Sequence, residues 1–206
     1  VRKALLADDR EVNFLVNNAT NILLENSIVH GVNGNDSVQF VPNKSRTFSD
    51  KLGEILGEND GQKIPIVLGK TQFRNNLIVA GNREQALIVP KTGEPKIYRN
   101  FLERDYSGLN NIYWSPQNNV FGIGFQKTSM TDLKGWTDVT GEVNYRWIDP
   151  QFVDPNNYDF RLKKNSPLKS RESSLPTRNL NDSKVRELKN YLVWINTLVD
   201  RESGVD

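Results

Sequence analysis

The sequence predicts an all-β chain of very short strands stacked as repeated coils, with an α-helix near its C-terminal end. Three observations carry that expectation. Residues 24–42 (LENSIVHGVNGNDSVQFVP) align with residues 74–90 (RNNLIVAGNREQALIVP), and a looser copy follows at residues 109–123 (LNNIYWSPQNNVFGI). Each copy runs from Asn through an apolar stretch and a polar turn into a second apolar stretch, which in the first two closes in Val-Pro. Val12, Phe14 and Val16 fall at alternate positions, as do Ile22 and Leu24, which is the period of a strand with one buried face. Finally, Asn or Gly interrupts each unit before a helix of about ten residues finds room.

One such coil cannot bury its own inner face, so the copies are expected to stack like the repeats of a solenoid, about 4.8 Å apart. Stacking predicts ladders of equivalent residues: Ile28 over Leu77 over Ile112, Val38 over Ala86, Phe40 over Ile88, and His30 over Ala80. It also predicts an Asn26, Asn75, Asn110 ladder, whose side-chain amides bond from one coil to the next inside a turn. Residues 1–168 form this unit. An insertion rich in Lys, Asp, Gly and Ser leaves it at about residues 43–69, with a short helix expected at 48–56, and residues 96–102 (KIYRNFL) read as an extra strand pair. Residues 169–206 form a linker and an amphipathic helix over 183–202, with Val185, Leu188, Leu192, Ile195 and Val199 on one stripe behind an Asp182 or Ser183 cap. The uncapped start at Val1 suggests preceding coils, so an N-terminal chain of the same protein is an expected partner.

Composition narrows the classes of function. The 27 basic and 25 acidic residues are scattered, without the blocks that give nucleic-acid binders their affinity, so nucleic acid is not expected as a partner. No apolar run approaches the roughly 18 residues of a membrane helix, and no membrane association is expected. With no cysteine, a thiolate metal site, a Cys nucleophile and a disulfide framework are all excluded.

Residues 147–167 (WIDPQFVDPNNYDFRLKKNSP) follow the repeats, and NNIYWSP at residues 110–116 precedes them. The longer stretch resembles the terminal signature D-P-x-F-V-D-P-x-x-x-D-F-R-L-x-x-x-S-P of right-handed parallel β-helix proteins of the pectate-lyase-like superfamily; the shorter resembles their last rung. With the repeats, the resemblance covers about residues 12–168. It implies a right-handed parallel β-helix and an extended, possibly acidic polysaccharide as partner, handled by a polysaccharide lyase or a glycoside hydrolase. It also implies a secreted, periplasmic or cell-surface location. Fold does not decide among these chemistries, and a noncatalytic glycan-binding or adhesion protein is the alternative. The Y-G-F/I-D-P-H stretch of alginate epimerases is not present.

Candidate site residues cluster at one turn-and-strand edge. Anchoring the repeats on their Val-Pro ends makes Asp36 equivalent to Glu84 and Asn35 to Arg83. Carboxylates one rung apart suit either two ligands of Ca²⁺ or the nucleophile and acid/base pair of a retaining glycosidase; the alternative is two solvated turn residues. His30, the one histidine, stands at the mouth of the same turn and is a candidate general base; the alternative is a surface histidine in the turn. The lyase reaction implied by the resemblance needs a cation to neutralise a uronate, and Arg83 and Arg104 are available, although neither stands in a lyase motif. Trp114 and Trp147 offer ring faces for stacking on sugars; Tyr113 carries one as well, although its place within a rung favours core packing. The catalytic set is therefore His30, Asp36, Arg83 and Glu84, with Arg104 and Trp114 binding substrate.

Overall fold

A computed structural model describes residues 1–7, 14–17, 19–31, 36–41, 46–47, 65–66, 68–83, 85–90, 95–124 and 129–177. The chain is mainly β, with its strands in parallel sheets and a few helices. The first strands are β1 (Leu5–Ala7), β2 (Phe14–Asn17), β3 (Ile22–Glu25), β4 (Ile28–Gly31) and β5 (Val38–Val41). A small antiparallel pair, β6 (Arg46–Thr47) and β7 (Pro65–Ile66), comes from the insertion, whose expected helix at 48–56 lies outside the described residues. Next come β8 (Thr71–Arg74), β9 (Leu77–Ala80), β10 (Ile88–Pro90), β11 (Tyr106–Leu109), β12 (Ile112–Trp114) and β13 (Phe121–Gly122). The last are β14 (Met130–Thr131), β15 (Arg146–Trp147), β16 (Phe152–Asp154) and β17 (Asp159–Leu162).

Three sheets receive these strands in rotation, in the orders β11-β8-β3, β1-β4-β9-β12-β15 and β14-β13-β10-β5-β2. The pairs within them are parallel except β13 with β14. The expected ladder of Ile28, Leu77 and Ile112 is formed. Two other registers differ. Val38 pairs with Ile88, and Phe40 with Pro90, so the Val-Pro anchor displaces this ladder by two residues. A two-residue slip keeps each side chain on its face, which is why alternation alone does not reveal it. His30 pairs with Val79, and Gly31 with Ala80, because the asparagine turns set this register and the glycines do not.

Those turns join the first sheet to the second. Asn26, Asn75 and Asn110 have φ of 50°, 55° and 56°, and Lys3 and Asn144 extend the series at 49° and 56°. This left-handed region is costly for most L-residues and tolerated by Asn. Asn110 Nδ2 donates to Asn75 Oδ1 at 3.2 Å, as the ladder predicts. A second, buried ladder lies one residue further on. The Ser27 backbone N–H donates to Asn76 Oδ1 and the Asn76 N–H to Asn111 Oδ1, both at 3.0 Å, while Asn76 Nδ2 reaches the Leu24 carbonyl at 2.9 Å. These amides satisfy backbone groups that the turn takes out of the sheets.

Inside the three sheets lies an aromatic core. Phe40, Phe73, Phe101 and Tyr106 pack with ring centroids 5.0–6.3 Å apart. Phe101 belongs to an α-helix, α1 (Pro95–Arg104), where the sequence suggests a strand pair. Pro95 opens that helix, and Tyr98, Phe101 and Leu102 fall on one buried stripe at three-and-four spacing. A second helix, α2 (Leu133–Thr140), starts at Asp132, whose side chain accepts from the Gly135 N–H, and ends at Gly141 with φ of 65°.

The middle sheet is covered on its outer side as well. There Phe152, Phe160, Leu162, Leu168 and Leu175 pack on Ile28, Leu77, Val79 and Ile112. Burial on both faces explains why its strands read as nearly unbroken apolar runs. Among the described residues no helix is long and apolar enough to cross a membrane. The expected helix at 183–202 lies outside the described residues.

The two ladders should respond differently to substitution. Asn75→Gly is expected to be nearly neutral and Asn75→Ala to cost about 1 kcal/mol, since only Ala resists positive φ. Asn76→Ala, which strands buried backbone groups, is expected to cost about 3 kcal/mol in urea unfolding.

Candidate functional site

Alternation along the middle sheet sends Val29, Ile78 and Tyr113 inward and leaves Ala7, His30, Val79 and Trp114 as one row on the outer face. Over that row lies the antiparallel hairpin β16–β17. Beside the hairpin the sheet opens into a cavity of about 310 Å³, whose polar lining comes from His30, Trp114, Asp149, Gln151 and Lys163. Two of the sequence-predicted residues, His30 and Trp114, therefore meet in one cavity. Asp149, Gln151 and Lys163 come from the terminal stretch, which the sequence marks as architectural.

His30 is only 2% exposed. Its ring lies 5.2 Å from Phe160 and 5.8 Å from Phe152, and its Nδ1 has no hydrogen-bond partner. Burial pushes its pKa down to about 4, and the Gly31 backbone offsets this only in part. The imidazole is thus neutral near pH 7 and a weak base.

Trp114 leans on Trp147, with ring centroids 6.0 Å apart and planes tilted by 58°. Trp147 in turn lines a second cavity, of about 210 Å³, together with Asn118, Asp132, Leu133 and Lys134. The two indoles link the two cavities at the end of the middle sheet. Tyr113 is fully buried on the inner face and has no free ring face for a ligand.

The remaining candidates are dispersed. Asp36 is 6% exposed, and its carboxylate accepts from the Ala86 N–H at 2.8 Å and from Gln39 Nε2 at 3.1 Å. Through the observed register Asp36 stands level with Ala86, so the expected stack on Glu84 does not follow; Glu84 and Asn35 themselves lie outside the described residues. Arg83 is exposed on the turn after β9. Arg104 ends α1 and lines a third cavity, of about 540 Å³, beside Lys70 and, from the first sheet, Gln72 and Ser107. Among the described residues no group of three or more His, Cys, Asp and Glu side chains gathers to hold a metal ion.

Glu142, which no motif of the sequence marks, is 4% exposed at the end of the inner ladder. Its carboxylate accepts from Asn111 Nδ2 at 2.8 Å, Tyr113 OH at 2.9 Å, Trp136 Nε1 at 3.1 Å and Tyr106 OH at 3.5 Å. Gly108 leaves the room: a Cβ there would run into the Glu142 side chain. Burial raises the carboxyl above its ordinary range, and the four donors pull it back only partly. The one signal within reach of sequence is the capped segment Asp132 to Gly141, which delivers Glu142 directly after a helix end.

Glu142→Ala should destabilise the chain by about 3 kcal/mol, because it leaves buried donors without an acceptor. Glu142→Gln tests the charge. A raised carboxyl contributes stability below its unfolded value of about 4.5 that is lost as pH rises through the folded value. Urea titrations at pH 4 and pH 7 should therefore show the Gln variant gaining on the wild type at the higher pH.

Compared with protein-family models, curated proteins and solved structures, the chain matches none.

Proposed function

We propose that the chain is a right-handed parallel β-helix of the pectate-lyase-like superfamily, and that it binds an extended polysaccharide along the edge marked by Trp114 and Trp147. The rotation of strands through three parallel sheets, the left-handed asparagine turns and the terminal stretch at 147–167 support the architecture. The tryptophan pair carries the functional reading. Two partly buried indoles 6.0 Å apart each line a cavity and offer apolar ring surface with polar residues beside it. A sugar chain presents alternating apolar ring faces and hydroxyls to match. A secreted or cell-surface location accords with such a ligand.

Turnover is the second reading, favoured by the meeting of a carboxylate, an imidazole and an ammonium group at Asp149, His30 and Lys163 in one cavity. Binding stands first because the Asp36 carboxylate is already engaged by the Ala86 N–H and Gln39, and because desolvation leaves His30 a weak base.

Affinity electrophoresis against acidic and neutral polysaccharides tests both. Trp114→Ala and Trp147→Ala should each weaken binding about tenfold, equivalent to about 1.4 kcal/mol. Unchanged mobility shifts for both variants would sink the binding reading. A time course of new reducing ends, or of unsaturated products, identifies a hydrolase or a lyase; stoichiometric binding without product leaves a binding protein.

A further inference from the structure

We propose that the terminal hairpin β16–β17 is an acid-released latch, held shut over the middle sheet by the neutral form of His30. The geometry gives His30 a buried position poorly suited to a second ring proton. Protonated imidazole donates from both nitrogens, and here Nδ1 is buried without a partner beneath two phenylalanine rings. Its row neighbours Ala7 and Val79 carry no charge, nor do Phe152, Phe160 and Leu162 of the hairpin. The charged side chains lining its cavity are Asp149 and Lys163, which act on an imidazolium in opposite senses.

The hairpin is the element free to yield. β4 is held on both sides, by β1 and by β9, within a five-stranded sheet. The hairpin pairs with itself, and the Lys163 N–H to Gln151 carbonyl and Ser166 Oγ to Pro150 carbonyl bonds close it at its base. It can therefore lift as a unit, giving up the apolar contacts to Ile28, Leu77 and Ile112 and opening the cavity. Docked, His30 titrates near 4; released, it returns towards its ordinary 6.5. The latch is thus fully stable above about pH 6.5 and loses about tenfold in docking equilibrium for each pH unit below, down to about pH 4.

Because the chain has a single histidine, its ring signals in NMR report this site directly. Between pH 7.5 and pH 5, hydrogen exchange corrected for intrinsic rates should show amides of the hairpin opening about 30-fold more often, while those of β9 stay protected. Trp114 fluorescence should change with the same midpoint. His30→Phe should abolish the acid response, and Asp149→Asn should keep it. The proposal is overturned if His30 titrates near 6.5 with the hairpin still protected, if hairpin exchange is independent of pH, or if Asp149→Asn removes the response. It does not depend on the glycan reading, since no ligand enters the measurement.

Discussion

The buried amide ladder at the turn between the first and second sheets is the constraint on which the rest of the structure depends. A chain that leaves one sheet and enters the next must turn sharply, and the left-handed residues at Asn26, Asn75 and Asn110 accomplish this in a single step. The step removes backbone groups from both sheets. Ser27, Asn76 and Asn111 restore their partners from one copy to the next, so each turn is satisfied only when its neighbour is in place. Stacking and turning are therefore one cooperative event, and the register that this turn sets is transmitted along the strands on either side.

That register distributes the side chains. Inward go Leu24, Phe73 and Tyr106 from one sheet and Val29, Ile78 and Tyr113 from the next, to meet the aromatic residues of α1. Outward on the middle sheet goes a second apolar row that cannot remain in water, and the terminal hairpin covers it. His30 falls in this second row by parity. One residue either way would have turned it into the aromatic core or into the turn. Its burial, its unpartnered nitrogen and its place in one cavity with Trp114 all follow from a position assigned by Asn26, four residues earlier at the turn.

Ladders of amides must end somewhere, and here the end is Glu142. Its carboxylate offers acceptor sites to the last asparagine and to Tyr106, Tyr113 and Trp136, which would otherwise bury polar atoms unpaired. The cost is a desolvated carboxyl, which raises its affinity for a proton. The same physics, applied to a base in the outer row, lowers that of His30. Both groups are displaced by burial, in the senses that their opposite charges demand.

How much of this could be read beforehand follows from the range over which each signal acts. Short strands, the asparagine turns and the Ile28, Leu77, Ile112 ladder are local or strictly periodic, and the sequence by itself determined them. It failed wherever two periodicities competed. Helix α1 lies in a segment whose apolar residues fit either a strand or a stripe of three-and-four spacing, and only docking against Phe40 and Tyr106 decides for the helix. The slip of two residues between Val38 and Ile88 is invisible to alternation, and it removes the equivalence of Asp36 and Glu84 on which the expected carboxylate stack rested. The site fared similarly: His30 and Trp114 were legible as chemistry, but their meeting, and the company of Asp149 and Lys163, were decided by tertiary structure alone. Hairpin docking joins residues more than a hundred positions apart, His30 to Phe152 and Phe160, and no periodicity within one strand encodes which distant segment will cover its outer face.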